Sequence, residues 1–157
     1  MSISFIDETI TEPQQASRWI YDKIAERKDE FGINFLGLDE RLKPQYPAVM
    51  IISGERQKAL HQTHIFLVAM QVLILVYHGR LDLTHTDRTL EDLELVTNIE
   101  NWLERGSMNM DDKITFMYIR QTTPIIERNA QRYMNDNVIG TQMVVAIESR
   151  KGFPYGP

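Results

Sequence analysis

His64-Ile-Phe-Leu-Val-Ala-Met-Gln-Val-Leu-Ile-Leu-Val-Tyr-His78 carries one strongly polar residue, Gln71, between its two histidines. Isoleucine and valine occupy positions 65, 68, 72, 74 and 76. Such β-branched side chains fit a pleated sheet better than a helix, where χ1 freedom is lost against the preceding turn. The stretch therefore reads as a strand. A two-residue period puts Phe66, Val68, Met70, Val72, Ile74 and Val76 on one face and Ile65, Leu67, Ala69, Gln71, Leu73, Leu75 and Tyr77 on the other. Both faces are apolar, so the strand needs cover on each side, from its own helices or from another subunit.

Outward from this strand, Ala48 to Ser53 is a short apolar strand that follows Pro47. Gly54-Glu-Arg-Gln57 supplies a turn, and the two strands form a hairpin or a pair joined by a flexible tip. Lys113 to Thr123 is a third strand, with Ile114, Phe116 and Tyr118 on one face, Met117 and Ile119 on the other, and Pro124 marking an edge or bulge. Arg128 to Asn137 reads as a loop or wide hairpin tip. Val138 to Ser149 is a fourth strand whose odd positions Ile139, Met143, Val145 and Ile147 are apolar, with Gln142 and Glu148 opposite.

Two amphipathic helices complete the pattern. The first runs from about 13 to 31: Thr11 caps, Gln14 closes the reciprocal bond, Pro13 sits in the first turn, and Gly32 stops it. Ala16, Ile20, Ile24 and Phe31, with Trp19 beside them, form its stripe. The second follows a cap at Thr86 or Asp87, with stripe Leu90, Leu93, Val96, Ile99 and Leu103, Trp102 at its border and Gly106 at its end. The expected fold is α+β, a four-stranded, mainly antiparallel sheet with two helices on one face, in the order α-β-β-α-β-β. It is a single domain over residues 1–157, with a leader at 1–10, a long loop or arm at 34–47 and a tail at 150–157. Two helices hide one sheet face. The surplus apolar face calls for self-association, or alternatively for the 34–47 loop and the termini to fold over it.

Composition narrows the function. A net charge of −5 with scattered Lys and Arg disfavours a broad nucleic-acid footprint. The absence of cysteine excludes disulfides and thiol catalysis and disfavours structural zinc. The start MSISFIDETI lacks the basic-then-apolar pattern of a secretory signal. The central run is shorter than the ~20 residues of a membrane helix. Eight methionines fit core gap-filling, or else an adaptable interface.

Few residues suggest chemistry. His78, Asp82, His85 and Asp87 lie close in sequence and could surround a metal, but their spacing matches no metal motif; polar residues at a strand exit are the plain reading. His61 and His64 fall on opposite strand faces. Ser53-Gly-Glu55 is a turn, not a nucleophile elbow, and no phosphate-cradling glycine loop occurs. The acids at 91, 92, 94, 100 and 104 describe the wet face of the second helix. Phe116, Met117 and Tyr118 read as core rather than as a base-stacking platform, since Arg120 alone is thin basic support. Catalytic, cofactor and metal residues are accordingly all expected to be none.

The helix–strand–strand–helix–strand–strand order, Tyr46-Pro-Ala-Val-Met-Ile-Ile-Ser-Gly-Glu55 opening the first hairpin, the long apolar second strand and the final 138–149 strand resemble the tail terminator (tail completion) proteins of long-tailed bacteriophages and related neck proteins. The resemblance covers about 11 to 150. It implies a non-enzymatic virion protein without cofactors, assembled in the host cytoplasm into a hexameric ring. That ring would cap the tail tube protein and meet a head-side neck or connector protein, with no membrane partner and with DNA only in transit through its lumen. The loops 34–47, 54–63 and 128–137 would order against neighbours. Alternatives are another head-tail connector, a small α+β ligand-binding domain or enzyme with a site near His78, Asp82 and His85, and a cellular adaptor that dimerises by its strand edges.

Overall fold

A computed structural model describes residues 10–43, 45–62, 65–80, 88–107, 114, 116–130 and 136–152. Their strands are β1 (Phe35–Leu38), β2 (Ala48–Gln62), β3 (Ile65–Arg80), β4 (Phe116–Ala130) and β5 (Asp136–Gly152). The helices are α1 (Pro13–Ala25), α2 (Lys28–Phe31) and α3 (Arg88–Ser107). The fold is α+β, but the sheet is five-stranded and mixed, in the order β1-β2-β3-β5-β4. The additional strand is β1, inside the stretch expected to be a loop, and it pairs in parallel with β2 from Phe35↔Ala48 to Leu38↔Ile51. The other three pairings are antiparallel.

Gly54 to Gln57 is not a turn. β2 runs straight through it, and a register shift between Ser53 and Arg56 absorbs the glycine. The reason is a close approach: a side chain at Gly54 would put its Cβ 2.5 Å from the Gln71 carbonyl oxygen. Gly140 does the same on the other flank of β3, where a Cβ would sit 2.3 Å from the Val76 oxygen. The central strand is thus gripped on both sides by neighbours without side chains. β4 also outruns the expected strand, passing Pro124 and ending at Ala130. It lies at the sheet edge, where a missing N–H breaks no ladder bond.

α1 is capped by Glu12 rather than Thr11, and Gln15 rather than Gln14 reaches back: its Oε1 accepts from the backbone N–H groups of Thr11 and Glu12 at 2.9 and 3.1 Å. The helix expected up to residue 31 breaks after Ala25, and α2 continues to Gly32, which stops it in the left-handed region at φ 72°. In α3, Leu95, Val96, Ile99 and Leu103 are buried, whereas Leu93 is 53% exposed, so the inward stripe runs through Leu95 instead. The cap candidates Thr86 and Asp87 lie outside the described residues, as do the 1–9 part of the leader and the last five residues of the tail.

Both long helices pack on one sheet face. Ile20 and Ile24 of α1, Ile99 and Leu103 of α3, Val49 and Ile51 of β2, the even residues Val68 to Val76 of β3, and Met143, Val145 and Ile147 of β5 form one continuous core. Each fully buried aliphatic side chain there contributes about 1.5–3 kcal/mol. Trp102 joins the helices: its Nε1–H donates to the Lys23 carbonyl at 2.7 Å, satisfying a backbone acceptor that the last turn of α1 leaves open.

Candidate functional site

The opposite sheet face is covered over only part of its length. At one end, Leu75 and Tyr77 of β3 are buried with Ala48 and Met50 of β2 beneath Phe35 of β1 and Leu42 of the segment that follows it. That segment is held by Asp39, at φ 47°, whose carboxylate accepts from the Ser53 N–H at 2.9 Å and the Ser53 hydroxyl at 2.8 Å. Ser17 Oγ of α1 lies 2.8 Å from Ser53 Oγ, so the latch spans helix, strand and loop. The expected loop or arm is therefore partly strand and partly cover. The idea that it folds over the second face holds for this end of the sheet.

At the other end the face is open. The period of two carries through the ladder: Gln57, Ala69, Glu148 and Phe116 stand in one cross-strand row, and Gln71, Ala146 and Tyr118 in the next. Ala69 is exposed and Leu67, Gln71, Leu73, Val144 and Ala146 are half-buried, although they flank fully buried residues on the same strands. Phe116 is 41% and Tyr118 46% exposed, with ring centroids 5.7 Å apart. The strand expected to bury all three of Phe116, Met117 and Tyr118 buries Met117 alone. A shallow groove of about 280 Å³ runs across these rows, lined among others by Glu55, Gln71, Phe116, Tyr118, Arg120 and Glu148. Arg120 occupies the register shift between Ile119 and Gln121, where β4 gains an unpaired position. On the helix side of that bulge the Glu104 carboxylate accepts from the Ile119 N–H at 3.4 Å. Burial and then the nearby Glu104 raise the Glu100 carboxyl above its ordinary value.

The groove is rich in aromatic and amide surface, and its described lining includes no Ser, Thr, His or Lys. It presents apolar area together with two carboxylates, Glu55 and Glu148, and one guanidinium, Arg120. Sequence reasoning did not single out Glu55, Gln71 or Glu148 as surface groups of one site. The signal was present in the alternation of β4, because Met117 facing the helices forces Phe116 and Tyr118 to the far side.

His78, the anchor of the suggested polar site, is buried on the helix side of the sheet at the register shift between Tyr77 and Gly79. Its Nε2 lies 3.0 Å from the Thr141 hydroxyl, and burial lowers its pKa to about 4. Asp82, His85 and Asp87 lie outside the described residues, as do the side chains of His61 and His64. Among the described residues, no three His, Asp or Glu side chains are placed to hold a metal ion, and no helix is long and apolar enough to cross a membrane. No protein-family model matches the chain, and no curated protein matches it.

Proposed function

We propose that this protein is a structural subunit that assembles with copies of itself, as a tail terminator or closely related head-tail joining protein of a long-tailed bacteriophage. The reading is supported chiefly by the half-covered sheet: one face is sealed by α1 and α3, while the other leaves Phe116 and Tyr118 exposed beside the open stretch of β3 and β5. An apolar strip of this kind on a soluble chain marks an interaction surface. In the proposed role the subunit closes into a hexameric ring on the tail tube, meets the neck on its other side, and lets DNA pass through its lumen. The α+β fold and the strands of fifteen to seventeen residues are in keeping with a protein that works by assembly.

Light scattering coupled to size exclusion, with electron microscopy of the same fractions, tests this. Rings of a fixed multiple of the protomer mass that bind purified tail tubes are expected. A protein that stays monomeric at every concentration and ignores tail tubes would end the proposal.

A further inference from the structure

A second surface cluster lies on the helix side of the molecule, where α2 and the end of α1 meet α3. The Trp102 ring is flanked by two cations, Arg27 with its guanidinium 3.9 Å from the ring centroid and Lys23 with its ammonium at 4.2 Å. Gly106 makes room for the lysine stem, since a Cβ there would fall 2.4 Å from Lys23 Cε. A cleft of about 320 Å³ beside this stack is lined by Arg27, Glu30, Phe31, Trp102 and Arg105 with the amides of Asn98 and Asn101. The Arg27–Glu30 contact is loose at 3.7 Å and largely exposed, and Arg105 makes no ion pair among the described residues.

The two patches are chemical complements. The sheet groove sets the carboxylates of Glu55 and Glu148 and the guanidinium of Arg120 around Phe116 and Tyr118. The helix cleft sets the guanidiniums of Arg27 and Arg105 and the carboxylate of Glu30 around Phe31 and Trp102. Two acids and a base thus match two bases and an acid, and each set surrounds an aromatic pair. Glutamines 57 and 71 on one patch correspond to asparagines 98 and 101 on the other. Among the described residues, none of Glu55, Glu148 and Arg120 makes an ion pair.

We infer that the sheet groove packs against the helix surface around this cleft in a second copy of this chain, with Glu55 and Glu148 of one subunit set against Arg27 and Arg105 of the next. The inference rests on the self-assembly proposed above and specifies its contact. The patches lie on opposite sides of the sheet, so the contact joins different surfaces of identical chains. Such a heterologous contact propagates head to tail and yields a ring where the rotation closes. Like charges placed across it oppose binding, and screening by salt weakens it.

Charge exchange provides the test. One variant carries Glu55→Lys and Glu148→Lys, a second carries Arg27→Glu and Arg105→Glu, and a third combines all four. Circular dichroism confirms folding, and Glu148→Lys and Arg105→Glu alone serve as milder versions, since Arg27 also stacks on Trp102. Each double variant alone should assemble about a hundredfold more weakly than wild type. An equimolar mixture of the two, and the fourfold variant, should regain assembly because every acid again faces a base. A multimeric wild type whose double variants assemble normally, or whose weakened variants are not rescued by mixing, overturns this contact and leaves the assembly proposal standing. Variants that assemble normally but no longer bind tail tubes would assign the groove to a different protein and overturn it too. A wild type that is monomeric throughout removes the proposed function itself, and the contact with it.

Discussion

His78 makes stability depend on acidity in a way that can be worked out in advance. It is buried beside Thr141, and desolvation lowers its pKa from 6.5 to about 4. In the unfolded chain the ring regains an ordinary histidine pKa, so on acidification the unfolded state takes up the proton first. The neutral ring costs nothing above pH 6.5, and stability is lost progressively as pH falls from there toward 4. Integrated between these two pKa values, the loss on going from pH 7 to pH 5 is roughly 2 kcal/mol. His78→Gln keeps a side-chain nitrogen able to reach the Thr141 hydroxyl but does not titrate. Urea unfolding followed by circular dichroism, on both proteins at pH 7 and pH 5 and at one protein concentration, isolates the effect. The other three histidines are common to both chains and cancel in the comparison. The wild type should lose roughly 2 kcal/mol more than the variant over this interval. Equal losses would refute the burial of His78 as the source of acid sensitivity.

Gly140→Ala forces a Cβ against the Val76 carbonyl, where only backbone can yield, and should cost about 3 kcal/mol by thermal or urea denaturation. Ser149 is fully buried and its hydroxyl has no hydrogen-bond partner among the described residues, so Ser149→Ala should stabilise the fold by about 1 kcal/mol in the same assays.

The sheet was legible wherever periodicity speaks. The β-branched run between residues 64 and 78, the alternation through Met143, Val145 and Ile147 and the inward residues Ile20, Ile24, Val96, Ile99 and Leu103 sit where spacing puts them, because burial on one face selects residue type at fixed intervals. β1 was not legible, since Phe35-Leu-Gly-Leu38 is four residues long with a glycine inside and prolines nearby, and its strand character comes from pairing with β2. Gly54 misled for a related reason. A glycine between strand residues reads as a turn until the close approach of the Gln71 carbonyl is seen. The candidate site was half legible: alternation sorts Phe116 and Tyr118 from Met117, but which set faces water depends on which side α3 takes, and that is a tertiary fact. Glu55, Gln71 and Glu148 come together only through cross-strand register.

The size of the exposed aromatic surface bears on how assembly would proceed. Phe116 and Tyr118 are 41% and 46% exposed. With about 200 Å² per aromatic side chain, covering both removes roughly 170 Å² from water and contributes about 4 kcal/mol. Association costs about 4–15 kcal/mol in lost freedom, so the aromatic pair by itself barely offsets the lower end of that range. The half-buried rows of β3 and β5 and the charged rims must supply the rest, and a single contact between two subunits is correspondingly weak. Ring closure changes the balance, because the last contact joins ends that are already tethered and carries little further translational cost. Assembly should therefore be steeply cooperative, with monomers and closed rings coexisting and little between them. Single-particle mass measurement across a dilution series checks this directly. A dominant dimer at intermediate concentration would point instead to a two-fold contact between like surfaces, against the head-to-tail arrangement.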